Sequence, residues 1–213
     1  MNSDVKPKEM ITMSEAELMT VLRSATPNLE DKSDPYFFKL DRVSLTFFQF
    51  MQELKFEIKV VKTSNNEIIV GTYFNEGSTV SEKALSRFGI NDIVLDIHNH
   101  PKIPDASLTY PSISDLLVAR NDRDYGIVSS DGITIFRLKS EYIEWDDLWD
   151  FCIRKGYLKE EQSPEEWVRG LSKGRKTRLS NEFFVESKEL IEYMEVPWSD
   201  AEEIKNQLAP FLI

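Results

Sequence analysis

The sequence predicts an α/β (α+β) protein in which helices flank a mixed central β-sheet, with a helical C-terminal extension. Stretches with strand-like and helix-like periodicity alternate through the middle of the chain, which is typical of stacked layers of sheet and helix. Asp131-Gly132 between two apolar runs is a strong signal for a β-hairpin. With 213 residues, 41% of them hydrophobic, the chain is long enough to bury a core. We expect an N-terminal helix and loop over 1–35, the main domain over 36–140 and the extension over 141–213.

Two helices are expected before the sheet begins. Ser14 and Glu17 form a capping-box pattern ahead of apolar residues at helical spacing, which predicts a helix over about 14–24. A loop rich in Asn, Asp, Ser and Pro follows up to residue 35. Phenylalanine and other apolar residues then recur at helical spacing, which predicts a helix with an aromatic face over 43–54.

The next part of the chain is expected to supply the sheet. Apolar and charged residues alternate over 56–61, as in a half-buried strand, and a β-branched run over 93–97 indicates a buried one. Gly89 marks the end of a short helix between them. The expected elements in chain order are strands 56–61 and 68–74, a helix 81–88, a strand 93–97, a helix 115–120, and strands 125–129 and 133–138.

Beyond residue 140 the composition changes and helices are expected over about 144–156, 164–172, 187–194 and 199–208. The basic run KGRKTR at residues 173–178 stands out in a chain of net charge −11. We interpret it as a solvated helix end or loop, with contact to an acidic partner or to nucleic acid as the alternative.

Charge and cysteine content indicate the class of partner and the compartment. The acidic net charge of −11 argues against non-specific nucleic-acid binding and against an anionic membrane surface. Cys152 is the only cysteine and cannot form an internal disulfide, which favours a reducing compartment. It follows aromatic residues on a predicted helix, so we expect a small buried hydrophobe. The N-terminus lacks the apolar segment of a signal peptide and no run reaches membrane-spanning length, so a cytoplasmic protein is expected.

His98 and His100 are the only two histidines in the chain, and both lie at the end of the predicted buried strand. Residues two apart in a strand point to the same face, so both imidazoles are expected on one side. Such a pair with one carboxylate makes a three-ligand zinc set with an open fourth position, as in a catalytic zinc site. Asp96, Asp105 and Asp115 are the nearby carboxylates. The alternative is a strand end with two hydrogen-bonded polar residues and no metal.

The segments His98-Asn99-His100-Pro101 and Ser112-Ile113-Ser114-Asp115 together resemble the signature of the JAMM (JAB/MPN) metalloprotease family. That signature has a Glu far upstream, then His-x-His-Pro, then Ser-x-x-Asp. The bacterial RadC-type branch also reads His-Asn-His-Pro and later Pro-Ser-x-x-Asp. The resemblance covers about 56–138, including VSEKALSRFGINDIVLDIHNHP and YGIVSSDGITIFRL. Fourteen residues separate the second His from the Asp, instead of the usual ten, so four extra residues are expected to bulge out as a loop.

The resemblance implies a JAMM/MPN, cytidine-deaminase-like fold and a Zn²⁺ ion held by His98, His100 and Asp115. It also implies a Glu that takes the proton of the attacking water, and a Ser112 hydroxyl that helps to stabilise the oxyanion. For the Glu we favour Glu57, within the predicted strand, over Glu53, whose surroundings are helical. Ser112 and Asp115 also fit a capping box, and both roles are compatible because a capped helix would hold Asp115 in place.

We therefore expect a zinc-dependent metallo-isopeptidase or peptidase acting on a protein or peptide substrate, with a ubiquitin-like tail as one candidate. The helices of the extension would bind the rest of the substrate or a partner. The alternatives are a RadC-like role linked to DNA metabolism and a non-catalytic MPN-type scaffold. The acidic charge weighs against the first alternative. The complete set of motif residues weighs against the second.

Overall fold

The computed structural model describes residues 10–27, 34–74, 80–101, 110–157, 173–187 and 189–209. Within these ranges the protein is a mixed α/β structure with seven helices and one eight-stranded mixed sheet, which confirms the predicted class. In the described part of the chain every helix is too short or too polar to cross a lipid bilayer.

The elements are numbered in chain order. The strands are β1 Ile11–Thr12, β2 Tyr36–Leu40, β3 Ile58–Thr63, β4 Ile68–Thr72, β5 Ile93–Asn99, β6 Asp124–Val128, β7 Gly132–Leu138 and β8 Ile191–Pro197. The helices are α1 Glu15–Ser24, α2 Leu45–Met51, α3 Glu82–Arg87, α4 Ile113–Val118, α5 Trp145–Arg154, α6 Lys173–Glu186 and α7 Ala201–Leu208.

The strands lie in the order β1-β2-β4-β3-β5-β6-β7-β8. The β1–β2 and β5–β6 pairs are parallel and the other pairs are antiparallel. Strand β5 lies inside the sheet, where it pairs with β3 on one side and β6 on the other. Because both edges of β5 are hydrogen-bonded, the strand that carries His98 and leads directly into His100 is held on either side by backbone pairing.

Helices cover both faces of the sheet. Helices α1, α2 and α7 pack on one face, where the core includes Leu18, Phe47, Met51, Leu95, Ile97 and Leu208. On the other face, α3 forms one apolar cluster around Leu85, and α4, α5 and α6 form a second around Leu116, Phe151 and Phe184. Side chains alternate between the faces along each strand. Consequently the even-numbered residues of the β5 end face the α4 side.

The local signals at the helix ends have the predicted effect. Ser14 and Glu17 form both bonds of the capping box at the start of α1. The Ser81 hydroxyl accepts the Ala84 N–H at the start of α3, and Gly89 follows that helix with φ of 75°. A positive φ is unstrained in glycine, which explains why the helix stops there.

The helix predicted over 187–194 is wrong, because Ile191–Pro197 forms strand β8 and pairs antiparallel with β7. Ile191 and Val196 are buried, whereas Glu192 and Glu195 are exposed. Strand β7 would otherwise leave a row of unpaired backbone groups, and pairing with them outweighs the local helix preference. The extension is therefore not helical throughout. Strands β1 and β2 were not predicted, and the helix expected over 164–172 lies outside the described residues.

The basic run at 173–178 lies at the start of α6. Of its side chains the structure describes that of Arg178, which is 76% exposed and pairs with Glu182 one turn later, 2.8 Å away. This placement agrees with a solvated helix end for Arg178.

Candidate metal centre

The end of β5 brings the two histidine side chains together on one face of the sheet. His98 is opposite Lys59 of β3 and Ile127 of β6, so its backbone is held from both sides. The backbone N–H of His100 donates to the carbonyl oxygen of Val128, 3.0 Å away. As a result, the two Nε2 atoms converge to 3.2 Å.

Asp115 is brought to the histidines by the first turn of α4. Its carboxylate Oδ2 accepts the backbone N–H of Ser112 at 2.7 Å, and the Ser112 hydroxyl oxygen accepts the Asp115 N–H at 3.2 Å. This reciprocal capping box orients the carboxylate, whose Oδ1 lies 3.3 Å from His98 Nε2 and whose Oδ2 lies 3.3 Å from His100 Nε2. Helix capping and convergence on the histidines therefore occur together.

The spacing of these atoms fits a tetrahedral zinc site. Ligand atoms about 2.0–2.1 Å from a tetrahedral Zn²⁺ are about 3.3–3.4 Å apart. The 3.2 Å between the two Nε2 atoms is close to that separation, and each Nε2 atom has a different oxygen of the Asp115 carboxylate 3.3 Å away. Among the described residues, His98, His100 and Asp115 form the one His/Cys/Asp/Glu group whose donor atoms all lie within 4.8 Å of one another. Two imidazoles and a carboxylate are also ligands that zinc prefers, and they leave a fourth position.

The three side chains interact strongly. Burial alone would raise the pKa of Asp115, but the two adjacent imidazoles outweigh burial and hold it well below its usual value. Burial alone would lower the pKa of His98, but the Asp115 carboxylate raises it above its usual value. Both Nδ1 atoms are buried and have no hydrogen-bond partner in the described part of the chain. Orientation of the rings therefore depends on the β5 backbone and on Asp115 rather than on partners at Nδ1.

Glu57 lies directly before β3, beside this cluster. Phe56 and Ile58 are buried in the core on the α1/α2 face, so the side chain between them points to the opposite face, where the histidines lie. Burial raises the pKa of Glu57, and the positive charge of the neighbouring His98 and His100 lowers it in part. Glu53 is exposed in the turn after α2. The structure thus places Glu57, the residue favoured from the sequence, next to the candidate ligands.

The two other carboxylates considered for the metal are not part of the cluster. Asp96 lies on the same face of β5 but forms a buried ion pair with Lys59, with 2.7 Å between Asp96 Oδ2 and Lys59 Nζ. Asp105 lies outside the described residues, as does most of the segment in which four extra residues were expected. The ends of that segment are nevertheless close, because His100 and Asp115 are in contact.

A cavity of about 820 Å³ adjoins the cluster on its His98–Asp115 side. Lys59 and Asp96 line its buried part, while Val118 and Tyr142 line its outer part and are 64% and 51% exposed. The candidate metal centre therefore adjoins a cleft whose outer part carries exposed apolar residues together with charged ones such as Lys83, Arg120 and Glu141.

Sequence reasoning missed residues that support the site from outside. Asn99 is fully buried, and its side chain bonds to the backbone on both sides of Glu57. The Ser180 hydroxyl of α6 accepts the Ile113 N–H at 3.2 Å and so supports the start of α4. The sequence could have indicated Asn99, because a polar residue on the apolar face of a buried strand needs a hydrogen-bond partner. No comparable local signal marks Ser180.

No family model, curated protein or solved structure matches this chain. The resemblance to JAMM proteins consequently depends on the motif residues themselves, and the candidate centre depends on the geometry given above.

Proposed function

We propose that this protein is a zinc-dependent hydrolase that cleaves an amide bond in a protein or peptide substrate. The main support is the convergence of two imidazole nitrogens, 3.2 Å apart, and one carboxylate, a group whose donor atoms all lie within 4.8 Å of one another and whose residue types zinc prefers. The half-buried carboxylate of Glu57 beside them is a second support, because hydrolysis needs a group that accepts a proton. The JAMM-like motif assigns roles to His98, His100, Ser112 and Asp115 and requires an upstream Glu, for which we favour Glu57 over Glu53.

Each of these residues has a part in the proposed reaction. His98, His100 and Asp115 would hold Zn²⁺, which when bound polarises a carbonyl group and makes water ionise near neutral pH. Glu57 would accept a proton from the attacking water and later donate it to the leaving amine. The Ser112 hydroxyl accepts the Asp115 N–H through its oxygen, so its own hydrogen can be donated to a developing oxyanion.

The surroundings of the centre favour a polypeptide substrate over a nucleic acid. A net charge of −11 opposes association with a phosphate backbone. The outer part of the cavity offers a polypeptide segment apolar contact through Val118 and Tyr142, beside charged residues of both signs. A ubiquitin-like tail is one such segment. The cytoplasmic compartment that we propose from the single cysteine is consistent with a substrate of this kind.

Metal analysis followed by three substrate arms tests the proposal. Protein purified without added metal or chelator is assayed for zinc, then incubated with a quenched-fluorescence peptide pool, a ubiquitin-like protein fused to a reporter, and DNA. We expect about one zinc per chain and cleavage in a polypeptide arm that stops on chelation and returns with Zn²⁺. Cleavage of DNA alone would favour the RadC-like role. Zinc binding without any cleavage would favour a scaffold.

A further inference from the structure

Asn99 lies between the two candidate histidine ligands but points away from them. Along β5, Leu95 and Ile97 belong to the core on the α1/α2 face, and Asn99 continues that row. Its exposed fraction is 0%, so a carboxamide is buried on an otherwise apolar face. A buried carboxamide is costly unless its hydrogen-bonding groups are used.

The Asn99 side chain uses them to extend the β3–β5 pairing. Backbone register between these strands ends at Lys59 opposite His98. Beyond that point the Asn99 Oδ1 accepts the Ile58 N–H at 2.7 Å, and its Nδ2 donates to the Phe56 carbonyl oxygen at 3.1 Å. The side chain therefore acts like a peptide group of the neighbouring strand and holds the two peptide units that flank Glu57.

A third hydrogen bond reaches Glu57 itself. The Thr72 hydroxyl at the end of β4 donates to the Glu57 carbonyl oxygen at 2.9 Å, and Thr72 is fully buried. Three consecutive residues, 56 to 58, are thus bonded by side chains from β5 and β4 where β3 begins. On the β5 side, backbone pairing starts only at Lys59, so without these bonds the backbone there would be freer to move.

We infer that Asn99 is a positioning residue, which fixes the Glu57 backbone so that the Glu57 carboxylate faces the space beside His98 and His100. The inference rests on the proposed function, because it assigns Asn99 to the proton-transferring group of that reaction. Asn99, which lies between the two candidate ligands in the sequence, would then set the distance between the metal and the Glu57 carboxylate. Its neighbours on the opposite face of β5 hold the metal, while Asn99 holds the base.

The test is a double-mutant cycle on zinc-loaded protein with the peptide pool or fusion that the wild type cleaves. Asn99→Leu keeps the size of the side chain and removes both hydrogen bonds. We expect it to retain zinc, because the histidines lie on the other face, and to lose about 10²-fold in rate, the cost of misplacing a reacting group by about 1 Å. In a Glu57→Gln background the same change should cost no more than about twofold, since Asn99 acts through Glu57.

Thr63→Val is the matched control. Thr63 is also buried in β3 and its hydroxyl accepts the Glu67 N–H at 3.2 Å, but it lies at the other end of the strand, about 16 Å from Ile58. It should lower the melting temperature without changing the rate. The inference would be overturned if Asn99→Leu lowered the rate by the same factor in the wild-type and Glu57→Gln backgrounds. Asn99 would then act on the fold or on the metal.

A readout that needs no substrate separates this inference from the proposed function. In metal-free protein, amide exchange at Ile58 should accelerate in Asn99→Leu, and a crystal structure should show the Glu57 carboxylate displaced from the histidines. A wild type without hydrolytic activity would refute the proposed function while these measurements still decide the positioning role. An unmoved Glu57 would refute the positioning role alone. The second variant is Asn99→Asp, which keeps the oxygen that accepts the Ile58 N–H. If neither Asn99→Leu nor Asn99→Asp folds, the role of Asn99 is purely structural.

Discussion

Replacing Glu57 by glutamine is expected to slow hydrolysis and also to stabilise the metal-free fold. The substitution preserves the size of the side chain and removes only its ability to carry charge and accept a proton. Glu57 is not among the residues whose donor atoms converge, so zinc should stay bound. The two effects have opposite signs, which makes the combination difficult to reproduce by general damage to the protein.

The expected loss of rate is the usual contribution of a positioned general base. That contribution is about 10²–10⁴-fold, which corresponds to about 2.7–5.4 kcal/mol of activation free energy at 1.36 kcal/mol per factor of ten. Glu57 is half-buried beside the histidines, so we expect a value within this range.

The expected gain in stability follows from the direction of the pKa shift. Burial raises the pKa of Glu57 in the folded protein above its ordinary value of 4.5, so the folded state binds this proton more tightly than the unfolded state does. The group therefore costs stability as the pH rises through 4.5, and the whole cost is present above the raised folded-state pKa. Glutamine removes that cost. The melting temperature of metal-free Glu57→Gln should exceed that of the wild type at neutral pH, and the difference should vanish below about pH 4.

The assay compares zinc content, rate and metal-free melting temperature of Glu57→Gln with those of Glu53→Gln. Glu53 is exposed four residues earlier, so its substitution controls for loss of one negative charge nearby. We expect Glu53→Gln to match the wild type in all three. If instead Glu53→Gln is inactive with zinc bound and Glu57→Gln turns over normally, Glu53 is the base. If both variants remain active, the hydrolytic role proposed for this site is wrong.

Three further results are expected. The double variant His98→Ala with His100→Ala should lose the zinc found in the wild type, and an unchanged stoichiometry by atomic absorption would refute the ligand set. Chelation of the metal should abolish activity but leave the far-ultraviolet circular dichroism unchanged. The reason is that the centre lies on a sheet with large apolar cores on both faces. Unfolding on chelation would indicate a structural metal. Ser112→Ala should lower the free energy of unfolding by about 1 kcal/mol, because the α4 cap is lost. It should also lower the rate of hydrolysis about 10²–10³-fold, because an oxyanion donor is lost. A normal rate at reduced stability would limit Ser112 to capping. 

A fourth result concerns the lone cysteine. Burial raises the pKa of the Cys152 thiol to about 11, so at pH 8 it should react slowly with a disulfide reagent in the native protein and rapidly after unfolding. Fast reaction of the native protein would show that α5 opens readily.

Much of the fold could be predicted because its signals are local. The capping boxes at Ser14 and Ser112 involve residues three apart, and the alternation that places His98 and His100 on one face has a period of two. Such interactions are made within one turn or one strand, so the residue types alone specify them. The hairpin between β6 and β7 was predictable for the same reason.

Strand β8 shows where local signals are insufficient. The segment around residues 187–194 carries Glu, Leu and Met, which favour helix, yet Ile191–Pro197 is extended. Its partner β7 lies more than fifty residues earlier in the chain. The open edge of β7 becomes available only after the sheet has formed, and no window of sequence contains that information.

The sequence alone determined which groups are available to the candidate centre: two histidines on one strand face, a carboxylate in a capped first turn, and a nearby Glu. Tertiary structure decided their assembly. It brings Asp115 to His100 across fourteen intervening residues, pairs Asp96 with Lys59 instead, and holds the backbone on both sides of Glu57 through an asparagine more than forty residues away. The physical reason is that side-chain type and local periodicity are properties of neighbouring residues, whereas distances of about 3 Å between remote groups depend on the register of a completed sheet.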